Sequence, residues 1–430
     1  NPGAIARLRR RKQRPDQPLA LLVASVDRLD DAGLRGALTI TPAERRLLQG
    51  PAAAIVLVRR RKSCGATWPG VADGAPSLGL MLPASGLHRL LVEELGGPVV
   101  ATSANRHGEP MWISAEEAEA GLGTLADGVL LHDRAIVRPL DDSVVQVIEG
   151  RPRLLRRARG YVPEPIRLAD ATDPDPDPAA TRASEHPTGV LALGGDLKAS
   201  PALAIGRQLW MAAPFGALDH PVHGARHGAA VRAVITAYSG TVAAIICDGH
   251  PGYRSAQLAQ QLTGRARGVA HHQAHGLAVL AEHGLPGPAL LLCADGTGID
   301  PGDPDLTVRG CELLLAPAGS GSIRRVGSLH PFPLPGGDLA CGEPRRCALG
   351  LVLAIDAALL RHPGARSCRE AFSAAELDLL TAAVAGRCNS PPCTSLGRLF
   401  DGVASLLGLV QTLSFEGQGG LWLEGAAAGA

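Results

Sequence analysis

Two histidines four residues apart carry the clearest chemical signal in this chain. In GVAHHQAHGLAVLAEHG, residues 268–284, the spacing of apolar positions predicts a helix. His271 and His275 then lie at i and i+4 on one face, where two imidazoles can reach one cation. Surface histidines would show the same spacing, so a third donor matters. Twenty residues further on, ALLLCADGTG ends a predicted strand in Asp295-Gly296-Thr297-Gly298. A carboxylate at a strand end can ligate a metal, and the flanking glycines let backbone amides approach phosphate. His271, His275 and Asp295 are the candidate metal ligands and Gly298 a candidate phosphate-loop residue; His272 sits off the ligand face.

Other segments have anion chemistry. RLRRRKQRP carries Arg7, Arg9, Arg10, Arg11, Lys12 and Arg14 into Pro15. Such a run is a solvated helix face, or, where the stiff turn after it fixes Lys12 and Arg14, a phosphate or carboxylate site. VVATSANRHGEP leaves a strand into Ser103 and Asn105, groups that suit a ligand at a strand's carboxyl end but also an ordinary turn. RPLDDSVVQV presents Asp141, Asp142 and Ser143, and RRARGYVP adds Arg156, Arg157 and Arg159. In HPFPLPGGD, Gly336, Gly337 and Asp338 could admit a phosphate or ribose, or form a plain surface loop. ICDGHPGY clusters Asp248, His250 and Tyr253. NSPPCTSLGRLFD opens a predicted helix with hydroxyl groups, which is an anion site or simple capping by Ser395.

The elements that must position these groups form an α/β pattern. Helices are predicted at 2–12 and 42–50, and strands at 19–25, 52–60, 97–103 and 127–133. After the Pro- and Asp-rich stretch DATDPDPDPAATRASEHP, which forbids helix, short buried-strand runs end in Asp-Gly loops, and helices dominate from Cys347. The expected organisation is a domain over 1–165, a linker over 166–188 and a second domain over 189–430. Both ends are abrupt, as in a fragment.

In this order the motifs resemble the HypF family of hydrogenase-maturation carbamoyltransferases. KxRP, SxN, DDSV and RRxRGYVP are similar to its YrdC-like, open twisted α/β domain. CDxHPxY, HHxAH, DGTG, FPLPGGD, EPxR, NSPxTSxGRLFD and FEGQ are similar to its Kae1-like domain, of the actin-like ATPase (ASKHA) fold. The resemblance implies that Lys12 and Arg14 are catalytic and, with Ser103 and Asn105, bind ATP with Mg2+ and form carbamoyl-adenylate from carbamoyl phosphate. It implies that His271 and Asp295 are catalytic and, with His275, hold Zn2+ or Fe2+, while Gly298, Gly336, Gly337 and Asp338 line a nucleotide. The implied acceptor is the C-terminal cysteine of the partner HypE. The fourth metal ligand is expected beyond Ala430, leaving the site incomplete and its affinity weak. Ile299, Arg309 and Cys311 stand where the family has tyrosine, tryptophan and glycine. An O-carbamoyltransferase acting on a sugar hydroxyl shares both domains, tRNA threonylcarbamoylation shares both folds, and an inactive nucleotide-binding scaffold is the non-enzymatic alternative.

Composition sets limits. With 42 basic and 41 acidic residues the net charge is +1, so nothing steers the whole chain to duplex RNA or DNA or to an anionic membrane. No apolar run reaches the roughly 18 residues of a membrane span. Nine cysteines without a CxxC pair argue against a zinc ribbon, and Cys247 and Cys293 are expected as reduced, buried thiols of a cytoplasmic protein.

Overall fold

The computed structural model describes residues 1–29, 34, 36–61, 68–168, 188–238, 241–300, 302–318 and 322–429. It divides into two compact units. Unit 1 comprises Asn1–Glu164, Ala212–His223 and Glu424–Ala430; unit 2 comprises Pro165–Met211 and Gly224–Leu423. Of the expected linker, residues 169–187 lie outside the described residues, and Ile166–Arg167 forms a short strand.

Unit 1 is built on a six-stranded mixed sheet. Its order is Val99–Ala101, Ala20–Leu22, Ser77–Met81, Ile55–Arg59, Val144–Ile148 and Arg151–Arg156. Ala20–Leu22 runs parallel to Ser77–Met81, and Ile55–Arg59 runs parallel to Val144–Ile148. Buried Leu21, Val56, Val58, Leu80 and Val145 are the apolar alternates of these strands. The helix Pro42–Gln49 starts in a capping box of Thr41 and Glu44, worth about 1 kcal/mol over an uncapped start. The segment 127–133, expected as a strand, is irregular: Val129, Leu130 and Leu131 are exposed and no neighbouring strand pairs with them among the described residues.

Unit 2 carries a second six-stranded sheet, ordered Arg267–Val269, Val242–Asp248, Gly189–Ala192, Ala202–Ile205, Gln208–Met211 and Ile166–Arg167. Val242–Asp248 is parallel to both Gly189–Ala192 and Arg267–Val269. Leu191, Leu193, Leu203, Val231 and Cys247 form its core. A three-stranded antiparallel sheet of Ala289–Gly298, Arg309–Ala316 and Arg324–Ser328 follows. The helix His271–His283 lies against it so closely that a Cβ on Gly276 would come within 2.8 Å of Leu291. The helices Pro344–Ile355 and Leu396–Leu406 cross at Gly402, where a Cβ would meet Leu351 at 2.4 Å. The eight described cysteines are all free thiols, and Cys247 and Cys293 are buried; Cys64 lies outside the described residues. Among the described residues no helix is long and apolar enough to cross a membrane.

Candidate metal centre and anion loops

In unit 2, parallel strand order brings the ends of two loops to one helix start. Val242–Asp248 stops at Asp248, Arg267–Val269 leads directly into the helix His271–His283, and Ala289–Gly298 passes through Asp295. Nε2 of His271 lies 3.1 Å from Oδ2 of Asp295, and Nε2 of His275 lies 3.6 Å from the same oxygen. The two Nε2 atoms are 3.2 Å apart. These three groups offer ligand atoms that all fall within 4.8 Å of one another. Oδ2 of Asp295 is buried without a well-aligned hydrogen bond, so a carboxylate oxygen and two imidazole nitrogens converge on one point. Two imidazoles and a carboxylate are a donor set for a divalent first-row ion such as Zn2+ or Fe2+.

Asp248 completes the arrangement. Its Oδ2 accepts from Nδ1 of His271 at 2.6 Å, which orients the ring and leaves Nε2 to face Asp295 and His275. Its Oδ1 accepts the His250 amide at 2.9 Å. The bond to Asp248 foremost, then that to Asp295, raises His271 to about 9 against the opposing pull of burial. Burial alone would push Asp295 up, but His271, His275 and the Gly296 amide together hold it well below the usual carboxylate range. Nothing in the sequence assigned Asp248 this role; its place at a strand end two residues before His250 was the available signal. His272 is buried beside the site, and its Nδ1 has no hydrogen-bond partner among the described residues.

The glycines here act by close approach. A Cβ on Gly298 would stand 3.0 Å from the His271 Cβ, so glycine here lets the strand run against the His271 ring. The ladder register shifts between Ala294 and Gly298, so Asp295, Gly296 and Thr297 bulge out opposite Gly310, whose own Cβ would meet the Asp295 carbonyl at 2.5 Å. Ser395 caps the helix Leu396–Leu406 and donates to the Gly296 carbonyl at 2.7 Å. Gly397 packs on the Gly296 Cα, so this helix start is closed by the DGTG loop. Gly336 and Gly337 have φ of 90° and 55°, which explains the glycine pair. The amide of Gly336 donates to Asn389, and Arg346 packs on Gly336. Tyr253, stacked on His250 at 4.2 Å, is pushed up to about 12 by burial first and then by Asp248, Asp196, Asp295 and Asp338. Asp338 thus contributes, after the other three carboxylates, to the field at the Tyr253 hydroxyl.

In unit 1, the helix Pro2–Lys12 ends on a left-handed Gln13 at φ 53°, with Gln13 and Arg14 amides donating back to Arg10 and Arg9. That turn buries Lys12, whose Nζ donates to the Ser103 carbonyl and, at 2.7 Å, to the Asn105 carbonyl. Ser103 Oγ donates to Asn105 Oδ1 at 2.6 Å. Lys12, Ser103 and Asn105 therefore come together, with the ammonium bracing the loop. Burial first and then Arg14 lower Lys12 to about 8. Arg14 donates to the Pro18 carbonyl at 2.6 Å and is lowered to about 10 by burial, then by Arg9 and Arg156. Cations gathered like this favour an anion among them. Arg9, which the sequence left inside a generic basic run, braces the turn by donating to Arg14, Pro15, Gln17 and Gly70 carbonyls. The third loop is a clamp: Arg159 pairs with Asp142 at 2.7 Å, and buried Ser143 bridges the Ala158 amide and the Arg159 carbonyl.

Comparison with known proteins follows the same division. The Sua5/YciO/YrdC family model, described as telomere recombination, matches residues 1–158. The HypF Kae1-like domain matches 185–282, and the second subdomain of the carbamoyltransferase Kae1-like domain matches 291–430. The carbamoyltransferase HypF of Synechocystis is 36% identical over 98% of this chain and 53% of its own length. That of Rhodobacter capsulatus is 37% identical over 100% of this chain and 54% of its own. A crystal structure of full-length HypF in a phosphate- and nucleotide-bound form matches with TM-score 0.86 at 32% identity, covering 99% of this chain and 62% of that one. Another, of HypF from T. kodakarensis, matches with TM-score 0.83 at 26% identity, covering 99% and 54%. The chain spans about half the length of the curated relatives it matches.

Fold and site together define a protein that joins a YrdC-like α/β domain to Kae1-like domains. The chain belongs to the HypF family, whose named members are carbamoyltransferases.

Proposed function

We propose that this chain is a cytoplasmic, ATP-dependent carbamoyltransferase that activates a carbamoyl group in unit 1 and transfers it in unit 2. The observation that carries the reading is the convergence of His271, His275 and Asp295, buttressed by Asp248. Carbamoyl phosphate, water and ATP, with Mg2+, enter the first stage: hydrolysis of carbamoyl phosphate gives carbamate and phosphate, and a carbamate oxygen then attacks the α-phosphorus of ATP, giving carbamoyl-adenylate as pyrophosphate leaves. Adenylation suits the task because AMP is a good leaving group from an otherwise poor electrophile. Lys12 shapes the Ser103–Asn105 loop, and Arg14 sets positive charge where negative charge develops on phosphate.

In the second stage, His271, His275 and Asp295 hold Zn2+ or Fe2+, which, when bound, supplies Lewis-acid polarisation of the carbamoyl group. Asp248 keeps Nε2 of His271 directed at that ion. Gly298, Gly336, Gly337 and Asp338 give the adenylate close access to the backbone. The acceptor is a thiol, the C-terminal cysteine of a HypE-type partner on the route to the cyanide ligands of [NiFe] hydrogenase. The test is pyrophosphate release from ATP with and without carbamoyl phosphate. The reading expects release that depends on carbamoyl phosphate and is lost in Arg14→Ala; no release under either condition overturns it.

A further inference from the structure

A buried polar chain lies behind the bulge that presents Asp295. Arg309 is 7% exposed and pairs with Asp303 at 2.5 Å. It also faces Glu312 at 3.7 Å, and Glu312 is completely buried. Glu312 faces Arg325 at 3.4 Å and accepts the Thr394 hydroxyl. Thr394 pairs with Val308 through its amide and is followed directly by Ser395, whose hydroxyl donates to the Asp295 and Gly296 carbonyls at 3.2 and 2.7 Å. In the ladder Gly298 is opposite Arg309, and Cys293 is opposite Glu312, so both charged residues flank the stretch where the register shifts.

We infer that Arg309 is a positioning residue of the metal centre, setting the direction of Asp295 through Glu312, Thr394 and Ser395. The physical case has three parts. A fully buried carboxylate is costly to leave without cationic partners, and Arg309 shares that place beside Glu312 with Arg325. Glu312 in turn orients Thr394, and Thr394 sets the position of Ser395 against the bulge. By the same ion pair Arg309 draws Asp303 under cover, so the segment 302–307 is fixed to the strand end from which the ligand projects. This inference rests on the metal-centre reading of His271, His275 and Asp295.

The test is Co2+ titration of the purified protein, followed by the visible absorption of the bound ion. Arg309→Met is expected to weaken Co2+ binding about tenfold, the scale of lost outer-shell support, and to shift the absorption bands; Arg309→Lys recovers part of both. Because Arg309→Met strands a buried carboxylate and can unfold the protein, Thr394→Val serves as the second variant. It keeps every charge, and it is expected to weaken binding and shift the bands in the same direction without loss of the folded state. Wild-type affinity and spectrum in folded Thr394→Val overturn the inference. His271→Ala in the same titration separates the two layers. If it leaves Co2+ binding intact, the metal-centre reading itself fails, whatever Arg309 does.

Discussion

Replacing Asp248 by Asn tests how the proposed metal centre is oriented. The Asp248 side chain is 6% exposed and accepts from His271 Nδ1 at 2.6 Å, a short charge-assisted bond shielded from water. Bonds of this kind contribute about 1.5–3 kcal/mol net, and a neutral amide in the same place keeps roughly half. The expected loss is therefore about 0.8–1.5 kcal/mol, which at 1.4 kcal/mol per decade is about four- to twelvefold in the Kd for Zn2+ or Co2+. Asp248→Ala also strips the acceptor of the His250 amide, so its loss moves toward the hundredfold end of outer-shell effects. Competition titration against a chromophoric chelator at fixed pH reads both values. Wild-type affinity in both variants, with the fold intact by circular dichroism, would falsify the claim that Asp248 aims His271.

Three further outcomes follow from other parts of the molecule. Gly298→Ala places a Cβ 3.0 Å from His271 and should weaken metal binding while leaving the melting temperature within a few degrees; equal loss of both would show that Gly298 serves the fold alone. Lys12 titrates near 8 in the folded protein against 10.5 ordinarily, so the unfolded chain binds more protons between those values. Its burial thus costs stability below pH 8, and that cost is withdrawn as pH rises toward 10.5; denaturant midpoints of wild type should gain relative to Lys12→Met over this window, and ATP affinity should fall once pH passes 8. Ser143→Ala leaves the buried Ala158 amide without its acceptor and should cost about 1–3 kcal/mol by denaturant unfolding; a cost near zero would mean that the Asp142–Arg159 clamp stands without it.

Much of this architecture is legible in the amino-acid sequence. The His271/His275 spacing was readable because helical periodicity is local, whereas Asp295 reaches the histidines through a bulge in a strand of a separate antiparallel sheet. Asp248 was visible as a strand-end residue, yet its partner could not be read, because a bond across 23 residues of chain depends on register between strands. The segment 127–133 failed for a related reason. DGVLLHD has strand composition, but a strand also needs an unpaired neighbour in the right place, and none pairs with it among the described residues. Ser395 shows an alternative resolved by packing: hydroxyls at a helix start serve an anion or a cap equally well in sequence, and the approach of Gly296 to Gly397 decides for the cap. Lys12 was legible as a fixed cation, while its commitment to the Ser103 and Asn105 carbonyls needed the tertiary fold.

The central claim is that activation and transfer are carried by different residues of one chain. It is tested most directly by incubating the protein with ATP, isotopically labelled carbamoyl phosphate and a HypE-type protein ending in cysteine, for wild type and His271→Ala side by side. The account predicts pyrophosphate release by both proteins, with label on the terminal thiol only for wild type. Labelled thiol in His271→Ala at the wild-type level would contradict it.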